Sequence, residues 1–388
     1  MKRLISAALC LALALGLMAG CGSLEDVDLG VSAAPENTGA GDASSLQLDW
    51  DAARAKHELD ATVLTVDGEN ADWGEFFYWL YYCYTNYVND MGAVTDFSTP
   101  YIYDSEMTIG EMLIDAAKSY CVQYHALDVN ARKEGVELTK EDEEALQALL
   151  ESDIKEIAGE DGTEEELFAA LEESYVSREL YELMNRTAAL YSRAYNTLYG
   201  GTGEKLTEQE VKDFADEYSF MTAKHILIQT TDAEGEPIDE AAKAEKLAEA
   251  EEIYAQLEGK SGQELESAFD ALMQEKREDT GLAAFPDGYC FTADDMVTEF
   301  SEAVAALEPG QLSGIVESSF GYHIILRMPL TAEDRVLQFD STGTPYTIRA
   351  VAAANLYEAR LNGWIENAET VWAAEFEDLD LNELFDLN

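Results

Sequence analysis

Ala223-Lys224-His225-Ile226-Leu227-Ile228 is one of the two matching stretches that decide the fold, and Phe320-Gly321-Tyr322-His323-Ile324-Ile325-Leu326 is the other. Each places a histidine ahead of a run of isoleucine and leucine residues, which is the pattern of a buried central strand. The whole chain of 388 residues has only four histidines, and two of them occupy the same place in these two stretches. The pattern predicts two similar buried strands.

The histidine pair has two interpretations. A single strand histidine is most often a core residue whose hydrogen bonds are satisfied. Two histidines on adjacent strands can instead face each other across the sheet and form a polar network inside the core, which costs stability unless it is used. His225 and His323 are therefore candidate functional residues.

The segment between the two strands carries a more specific pattern. It contains Asp294-Asp295-Met296-Val297-Thr298-Glu299-Phe300-Ser301-Glu302-Ala303, followed by Leu307-Glu308-Pro309-Gly310-Gln311-Leu312-Ser313. With these residues, the segment 219–330 resembles a parvulin-type peptidyl-prolyl isomerase domain. The resemblance implies an FKBP-like α+β fold and an enzyme that isomerises X-Pro peptide bonds without a cofactor.

By the same resemblance, seven residues match the functional site of the family. The polar network of the catalytic site is matched by His225, Asp279, Ser318 and His323, and the pocket that receives the proline ring is matched by Phe291, Met296 and Phe300. The i, i+4 spacing of Met296 and Phe300 predicts that both lie on one helix face. Either of them alone would be an ordinary core residue.

The loop that follows Asp279 departs from the family pattern. Parvulins usually carry a Gly-Gly-x-Leu-Gly-x-Phe-type segment there, whereas this chain has Thr280-Gly281-Leu282-Ala283-Ala284-Phe285, and Lys276-Arg277 replaces a common Tyr-Ser before the acid. Gly288 and Phe291 are expected to preserve the turn and the edge of the pocket. The departure keeps a second interpretation open, a holdase chaperone with a weakly active or inactive parvulin domain.

The first twenty residues read as a lipoprotein signal peptide. Lys2 and Arg3 precede an apolar run from Leu4 to Met18 that is too short to span a bilayer, and Met18-Ala19-Gly20-Cys21 resembles a bacterial lipobox. Cleavage before Cys21 and lipidation of its sulfur would anchor the protein on the extracytoplasmic face of the cell membrane. A plain secretory signal is the alternative. Residues 21–50, rich in Gly, Ala, Ser and Asp, are expected to form a flexible tether.

The charge balance excludes one class of partner and favours another. The chain carries 24 Lys and Arg against 79 Asp and Glu, a net charge of −55. Loss of residues 1–20 removes two cations and no acid, which leaves 22 against 79, or −57. Nucleic-acid binding needs a cationic surface and is excluded. A strongly acidic surface attracts cationic, unfolded polypeptide clients, although most of these acids are simply solvated surface groups.

Residues 51–218 predict a mostly helical domain. A strand over 62–66 ends in an Asp67-Gly68 turn, and aromatic residues then follow at helical spacing from Trp73 to Val88. This helix is apolar all round, which favours burial on both sides over an aromatic wall facing a client groove. Capping boxes at Thr108, Thr139, Thr163 and Thr207, each with an acid three residues later, predict four helix starts. The pattern resembles the N-terminal chaperone region of SurA- and PrsA-like foldases.

The remaining segment, 331–388, predicts a long helix over 345–376 and a frayed acidic end. By resemblance to related foldases, the helix is expected to pack on the N-terminal domain. Cys83 and Cys121 are either a pair or small buried groups, and no Cys/His spacing indicates a metal site. The prediction is thus an extracytoplasmic, membrane-anchored foldase with clients among exported proteins. A solute-binding lipoprotein is the alternative from another class, and it would need two α/β lobes.

Overall fold

The computed structural model describes residues 48–94, 96–232, 234–276 and 278–387. The helices are α1 Trp50–Arg54, α2 Trp73–Met91, α3 Ile109–Lys133, α4 Lys140–Asp153, α5 Glu164–Glu172, α6 Arg178–Leu198, α7 Glu208–Glu217, α8 Glu240–Leu257, α9 Gly262–Lys276, α10 Thr298–Ala305, α11 Ile348–Glu366 and α12 Leu381–Leu384. The strands are β1 Thr62–Val66, β2 Glu69–Asp72, β3 Pro100–Tyr101, β4 Asp104–Thr108, β5 Met221–Gln229, β6 Tyr289–Phe291, β7 Leu312–Glu317, β8 Gly321–Met328, β9 Arg335–Phe339, β10 Pro345–Thr347 and β11 Thr370–Trp372. The predicted signal peptide, Cys21 and nearly all of the predicted tether lie outside the described residues.

The chain folds as two compact units. In the described part, unit 1 comprises residues 48–197 and 358–387, and unit 2 comprises residues 198–357. The units divide at 197/198 and 357/358, whereas the sequence placed domain boundaries at 218/219 and 330/331. Helix α7 and the segment 331–357 are thus part of unit 2, because their contacts are made there.

Unit 1 is helical around a small antiparallel sheet in the order β11-β1-β2. The predicted turn is present, with φ of 51° at Asp67 and 89° at Gly68. Two successive positive φ values match the twist of a two-residue hairpin, which explains why Asp-Gly connects β1 to β2. All four predicted capping boxes are confirmed at the starts of α3, α4, α5 and α7.

The aromatic helix α2 belongs to the core of unit 1, as the pattern favoured. Trp73, Phe76, Phe77 and Trp79 are at most 1% exposed. The ring of Trp79 stacks on Tyr120 of α3, with 4.6 Å between ring centroids. The predicted alternative, an aromatic wall open to clients, is therefore not what this helix forms.

The end of the chain corrects the prediction of one long helix and a frayed tail. The helix stops at Glu366, and Thr370–Trp372 forms β11, which pairs antiparallel with β1. Four apolar side chains of the acidic tail are buried in the core of unit 1: Phe376, Leu381, Leu384 and Phe385. The tail is ordered because these residues bury apolar surface. The sequence suggested a frayed end because acidic residues outnumber them there. Cys83, Cys121 and Cys290 are free and buried, so the predicted alternative of a Cys83–Cys121 pair is wrong.

Unit 2 is built on a six-stranded sheet in the order β10-β9-β6-β5-β8-β7. The central pair β5 and β8 is antiparallel from Thr222↔Met328 to Gln229↔Gly321. Residues such as Ile226, Ile228 and Ile324 pack on one side with α8 and α9. Ala223, Phe291, Phe300 and Ile325 form the apolar cluster on the other side. Side chains alternate along a strand, so both faces of this central pair are buried.

Two further features bear on the alternatives. The sheets of unit 1 are antiparallel and small, so the described chain lacks the two parallel α/β lobes of a solute-binding lipoprotein. Across the described ranges, no helix is both long enough and apolar enough to cross a bilayer.

Candidate active site

The register of β5 against β8 brings the two histidines together. His225 lies opposite Ile325, and Leu227 lies opposite His323, so the histidines are diagonal neighbours on one face of the sheet. Their Nδ1 atoms are 3.1 Å apart, and their rings are nearly parallel with 5.3 Å between centroids. Both side chains are buried, with His225 9% and His323 4% exposed.

Asp279 anchors one end of this pair. It follows α9 and caps the short 3₁₀ turn Thr280–Ala283. Its carboxylate accepts hydrogen bonds from His225 Nε2 at 3.0 Å, from the Tyr289 hydroxyl at 2.5 Å and from the Gly281 amide at 2.9 Å. Burial raises the pKa of Asp279, but the hydrogen bond and charge of His225 and the other two donors outweigh burial and bring it to about 2.

Ser318 closes the other end of the network. It lies between β7 and β8, directly after the last residue of β7. The Ser318 Oγ atom is 2.7 Å from His323 Nε2 and accepts a hydrogen bond from the Phe320 amide at 3.1 Å. The four residues that the sequence proposed as the polar network are therefore connected in the order Asp279, His225, His323, Ser318.

The ionised carboxylate sets the direction of the hydrogen bonds. Asp279 only accepts, so His225 Nε2 carries a proton. When His225 is neutral, its Nδ1 accepts from His323 Nδ1, and His323 Nε2 then accepts from the Ser318 hydroxyl. A proton added to His225 reverses both of these bonds. Burial, and next the charge of His225, lower the pKa of His323 to about 3, which keeps His323 neutral at physiological pH.

Aromatic rings pack directly against the histidines. The ring of Phe300 on α10 meets His225 and His323 edge-on, with centroids at 5.2 and 5.4 Å. Phe291 on β6 contacts Phe300 at 5.6 Å. Phe291 is fully covered and Phe300 is 2% exposed, so both rings lie beneath the surface of the site. The half-buried Met296 packs on the same cluster and reaches solvent.

The predicted helix carrying both Met296 and Phe300 is wrong. Met296 has extended backbone, with φ −125° and ψ 164°, and α10 begins at Thr298. The 3₁₀ turn Ala293–Asp295 ends before it. The Asp295 carboxylate accepts hydrogen bonds from Thr292 at the start of this turn, which closes the turn as a separate unit from α10. Met296 still packs on the same apolar cluster as Phe300, so their proximity comes from tertiary packing instead of helical spacing.

Tyr289 is a site residue that the sequence analysis did not identify. Its hydroxyl donates to Asp279, and both burial and this carboxylate raise its pKa. A Cβ atom at Gly281 would lie 2.1 Å from the Tyr289 hydroxyl, so this glycine makes room for the hydrogen bond. Gly288 precedes β6 with φ of 102°, and a Cβ there would lie 2.7 Å from Ala223 O. The i, i+2 spacing of Tyr289 and Phe291 on β6 could have indicated that both face this cluster.

The arrangement offers a buried polar network next to apolar side chains. Within the described ranges, no group of three or more His, Cys, Asp or Glu side chains is arranged to hold a metal ion. The thiol of Cys290 is buried, which raises its pKa to about 12 and leaves it un-ionised at neutral pH.

Comparison with known proteins agrees with this geometry. Residues 225–328 match the rotamase family, described as the PPIC-type PPIase domain. This part of the chain is a parvulin-type domain. The match includes the strands of both histidines, and residues outside 225–328 are not covered by it.

Named relatives share the parvulin region. The foldase protein PrsA of Caldanaerobacter subterraneus is 32% identical over 140 residues, which is 33% of this chain and 37% of that protein. The peptidyl-prolyl cis-trans isomerase pin1 of Schizosaccharomyces pombe is 51% identical over 37 residues, 10% of this chain and 21% of that protein. The matches thus span about a third of the first relative and about a fifth of the second. The crystal structure of PrsA from Bacillus subtilis aligns at 18% identity over 76% of this chain and 99% of that one, with a TM-score of 0.23.

Proposed function

We propose that this chain is an extracytoplasmic foldase that catalyses cis–trans isomerisation of X-Pro bonds in exported polypeptides. The observation that supports isomerisation most directly is the continuous network Asp279–His225–His323–Ser318 lying against Phe300. A buried polar network costs stability unless all its members are satisfied. Here the described contacts satisfy each member, and the network lies within the parvulin-type domain.

The reaction needs a twisted amide and no broken bond. Amide resonance sets a barrier of roughly 18–20 kcal/mol, and uncatalysed X-Pro isomerisation takes about tens to hundreds of seconds. Catalysis requires tighter binding of the twisted amide than of the planar one. The charge-separated resonance form contributes most to the planar amide. An apolar environment disfavours this form and therefore favours the twisted amide relative to the planar one.

We assign the roles accordingly. Met296 would contact the proline ring directly, and Phe300, with Phe291 behind it, would form the apolar wall of the pocket. The neutral His323, together with His225, which Asp279 orients, would keep the Ser318 hydroxyl in a defined direction. A preoriented hydroxyl costs no reorganisation when the charge distribution of the amide changes.

The other parts of the proposal concern clients and location. Unit 1 would bind unfolded segments of the same clients, and the strongly negative chain would favour cationic ones. Cys21 would carry the lipid anchor on the outer face of the membrane. The name of the foldase relative supports the part that concerns polypeptide clients.

NMR exchange spectroscopy on a short prolyl peptide tests the isomerase proposal. The purified protein should accelerate exchange between the cis and trans forms, and Phe300→Ala should remove most of the acceleration. Truncation of a buried Phe also costs about 3–5 kcal/mol of stability, so kcat/KM must be compared at equal folded fraction. Phe339→Ala is a matched control, because Phe339 is 45% exposed in the same unit.

Two outcomes would contradict the proposal. A folded and fully active Phe300→Ala variant would show that the pocket lies elsewhere. A wild-type protein that binds prolyl peptides without accelerating their exchange would instead be a holdase, the alternative that the loop after Asp279 keeps open.

A further inference from the structure

A groove of about 630 Å³ opens in unit 1, between the segment 97–115 and the C-terminal segment 372–382. Its apolar lining comes from residues on both sides: Phe97, Met107, Ile114, Trp372, Phe376, Leu379 and Leu381. Phe97, Phe376 and Leu381 are buried, and the other four are half-buried. The groove therefore presents apolar side chains that the core of unit 1 does not fully cover.

The rim of this groove carries six carboxylates beside the uncharged polar residues Ser98, Thr108 and Asn382. Its carboxylates are Glu106, Glu111, Asp115, Glu377, Asp378 and Asp380, and no lysine or arginine is part of the lining. Glu111 and Asp380 already accept hydrogen bonds in helix caps. The other four have no cationic side chain within salt-bridge distance among the described residues. Lys118 lies beside the groove, with its Nζ atom 5.9 Å from the centre of the Trp372 ring.

The rim leaves a local excess of negative charge around an apolar floor. Carboxylates that repel each other without compensation destabilise the folded state, and a cationic ligand relieves this repulsion. Apolar lining adds a second requirement, because a purely ionic ligand would leave the floor in contact with water. The acidic rim and the apolar floor together favour a ligand that carries both positive charges and apolar groups.

We propose that this groove binds an unfolded polypeptide segment in which basic and apolar side chains alternate or cluster. Apolar side chains of the segment would cover Trp372, Leu379 and Met107, while its lysines and arginines would meet the rim. This inference deepens the chaperone part of the proposed function and rests on it. It is independent of the isomerase site, which lies in unit 2.

The neighbouring hairpin supports a polypeptide ligand. Strands β3 and β4 form a two-stranded sheet that carries Glu106 and Met107 of the groove. The turn of the same hairpin exposes Ile102 by 63% and Tyr103 by 76%. Large apolar side chains with such exposure beside an apolar groove extend the surface that a flexible chain could cover.

Fluorescence anisotropy with two proline-free labelled peptides tests the inference on the purified protein. One peptide combines Lys and Arg with Leu and Phe, and the other replaces every basic residue with Glu. The test variant is Glu377→Lys with Asp378→Lys, and the control is Glu160→Lys with Asp161→Lys. Both pairs are adjacent, exposed and in turns of unit 1, and both change the net charge equally.

The basic peptide should bind the wild type and the control with similar affinity. The Glu377→Lys, Asp378→Lys variant should raise its dissociation constant by about tenfold or more. Asp115→Lys, a single change on the other side of the groove, should act in the same direction. The acidic peptide should bind none of these proteins, and added salt should weaken only the binding that the variants affect.

Several results would overturn the inference. Equal weakening by the test and control pairs would assign the attraction to net charge alone, and no weakening by the test pair would remove the groove from binding. Failure of the wild type to bind the basic peptide would do the same. If the wild type also fails to suppress aggregation of a cationic unfolded protein, the chaperone proposal fails with it. Isomerisation of a short prolyl peptide should be unchanged in all variants.

Discussion

Replacement of Asp279 by Asn should destabilise unit 2 by about 2 kcal/mol at neutral pH, and the loss should vanish in acid. The carboxylate accepts three hydrogen bonds, from His225, Tyr289 and Gly281. An amide oxygen can accept some of these, but its NH₂ group faces the same donors. The ionised form is therefore what the surrounding structure stabilises.

The magnitude follows from the pKa of Asp279, which is about 2 in the folded protein against an ordinary value of 3.8. A tenfold change in proton affinity corresponds to ~1.4 kcal/mol, so the ionised carboxylate contributes roughly 2 kcal/mol. The folded pKa is lowered, so this stability is present above the unfolded pKa and is lost as the pH falls through the folded pKa. The difference between wild type and variant should shrink between about pH 4 and pH 2.

Amide hydrogen exchange on β5 and β8 is the suitable assay. All five tryptophans of the chain lie in unit 1: Trp50, Trp73, Trp79, Trp364 and Trp372. Tryptophan fluorescence therefore monitors unit 1 and serves as an internal control, while protection of the central strands reports on unit 2. Asp287→Asn is the matched variant, because Asp287 is exposed in the same loop.

The reasoning would be refuted by a difference in free energy of unfolding that stays constant from about pH 7 to pH 3. Such a result would mean that the variant loses packing or loop geometry instead of a stabilised charge. An equal loss in Asp287→Asn would likewise assign the effect to the loop as a whole.

Three further predictions concern other parts of the chain. Gly281→Ala should displace the Tyr289 hydroxyl and cost about 1–3 kcal/mol, whereas Gly314→Ala, with no atom within 4 Å of the added Cβ, should be close to neutral in thermal melts. Burial lowers the pKa of His125, but the hydrogen bond and charge of the buried Glu75 raise it overall. The protonated histidine therefore stabilises unit 1, and His125→Gln should cost more stability at about pH 5 than at about pH 9. Urea unfolding followed by tryptophan fluorescence measures the difference. Cys21→Ser should move the protein from the membrane fraction to the medium, or leave the uncleaved precursor, and normal processing with unchanged membrane association would contradict the lipid anchor.

Features that depend on neighbouring residues were predicted from the sequence. The capping boxes at Thr108, Thr139, Thr163 and Thr207 are confirmed, because a cap involves residues within a single turn. The Asp67-Gly68 hairpin is confirmed for the same reason. The strands of both histidines are also confirmed, since their apolar runs require burial wherever the partner strands lie.

Features that depend on distant contacts were missed. The tail after Glu366 was predicted as helix and frayed end, yet β11 pairs with β1, some three hundred residues earlier in the sequence. The segment after Glu366 is rich in acidic residues, so its composition alone favours no ordered structure. Pairing with β1 and packing of its apolar side chains in the core of unit 1 make the ordered segment favourable. Met296 was placed on α10 by its spacing from Phe300, but the 3₁₀ turn before it ends in extended backbone.

The amino-acid sequence by itself determined which residue types are available to the site: two strand histidines, an acid after α9 and a hydroxyl before β8. The tertiary structure alone decided that they form one network, because the register Leu227↔His323 brings the two Nδ1 atoms within 3.1 Å. It also decided that Tyr289 joins them, through a hydrogen bond that only the space at Gly281 permits. Hydrogen bonds depend on distances of a few tenths of an ångström, and such distances are set by the packing of strands and loops that lie far apart in the chain.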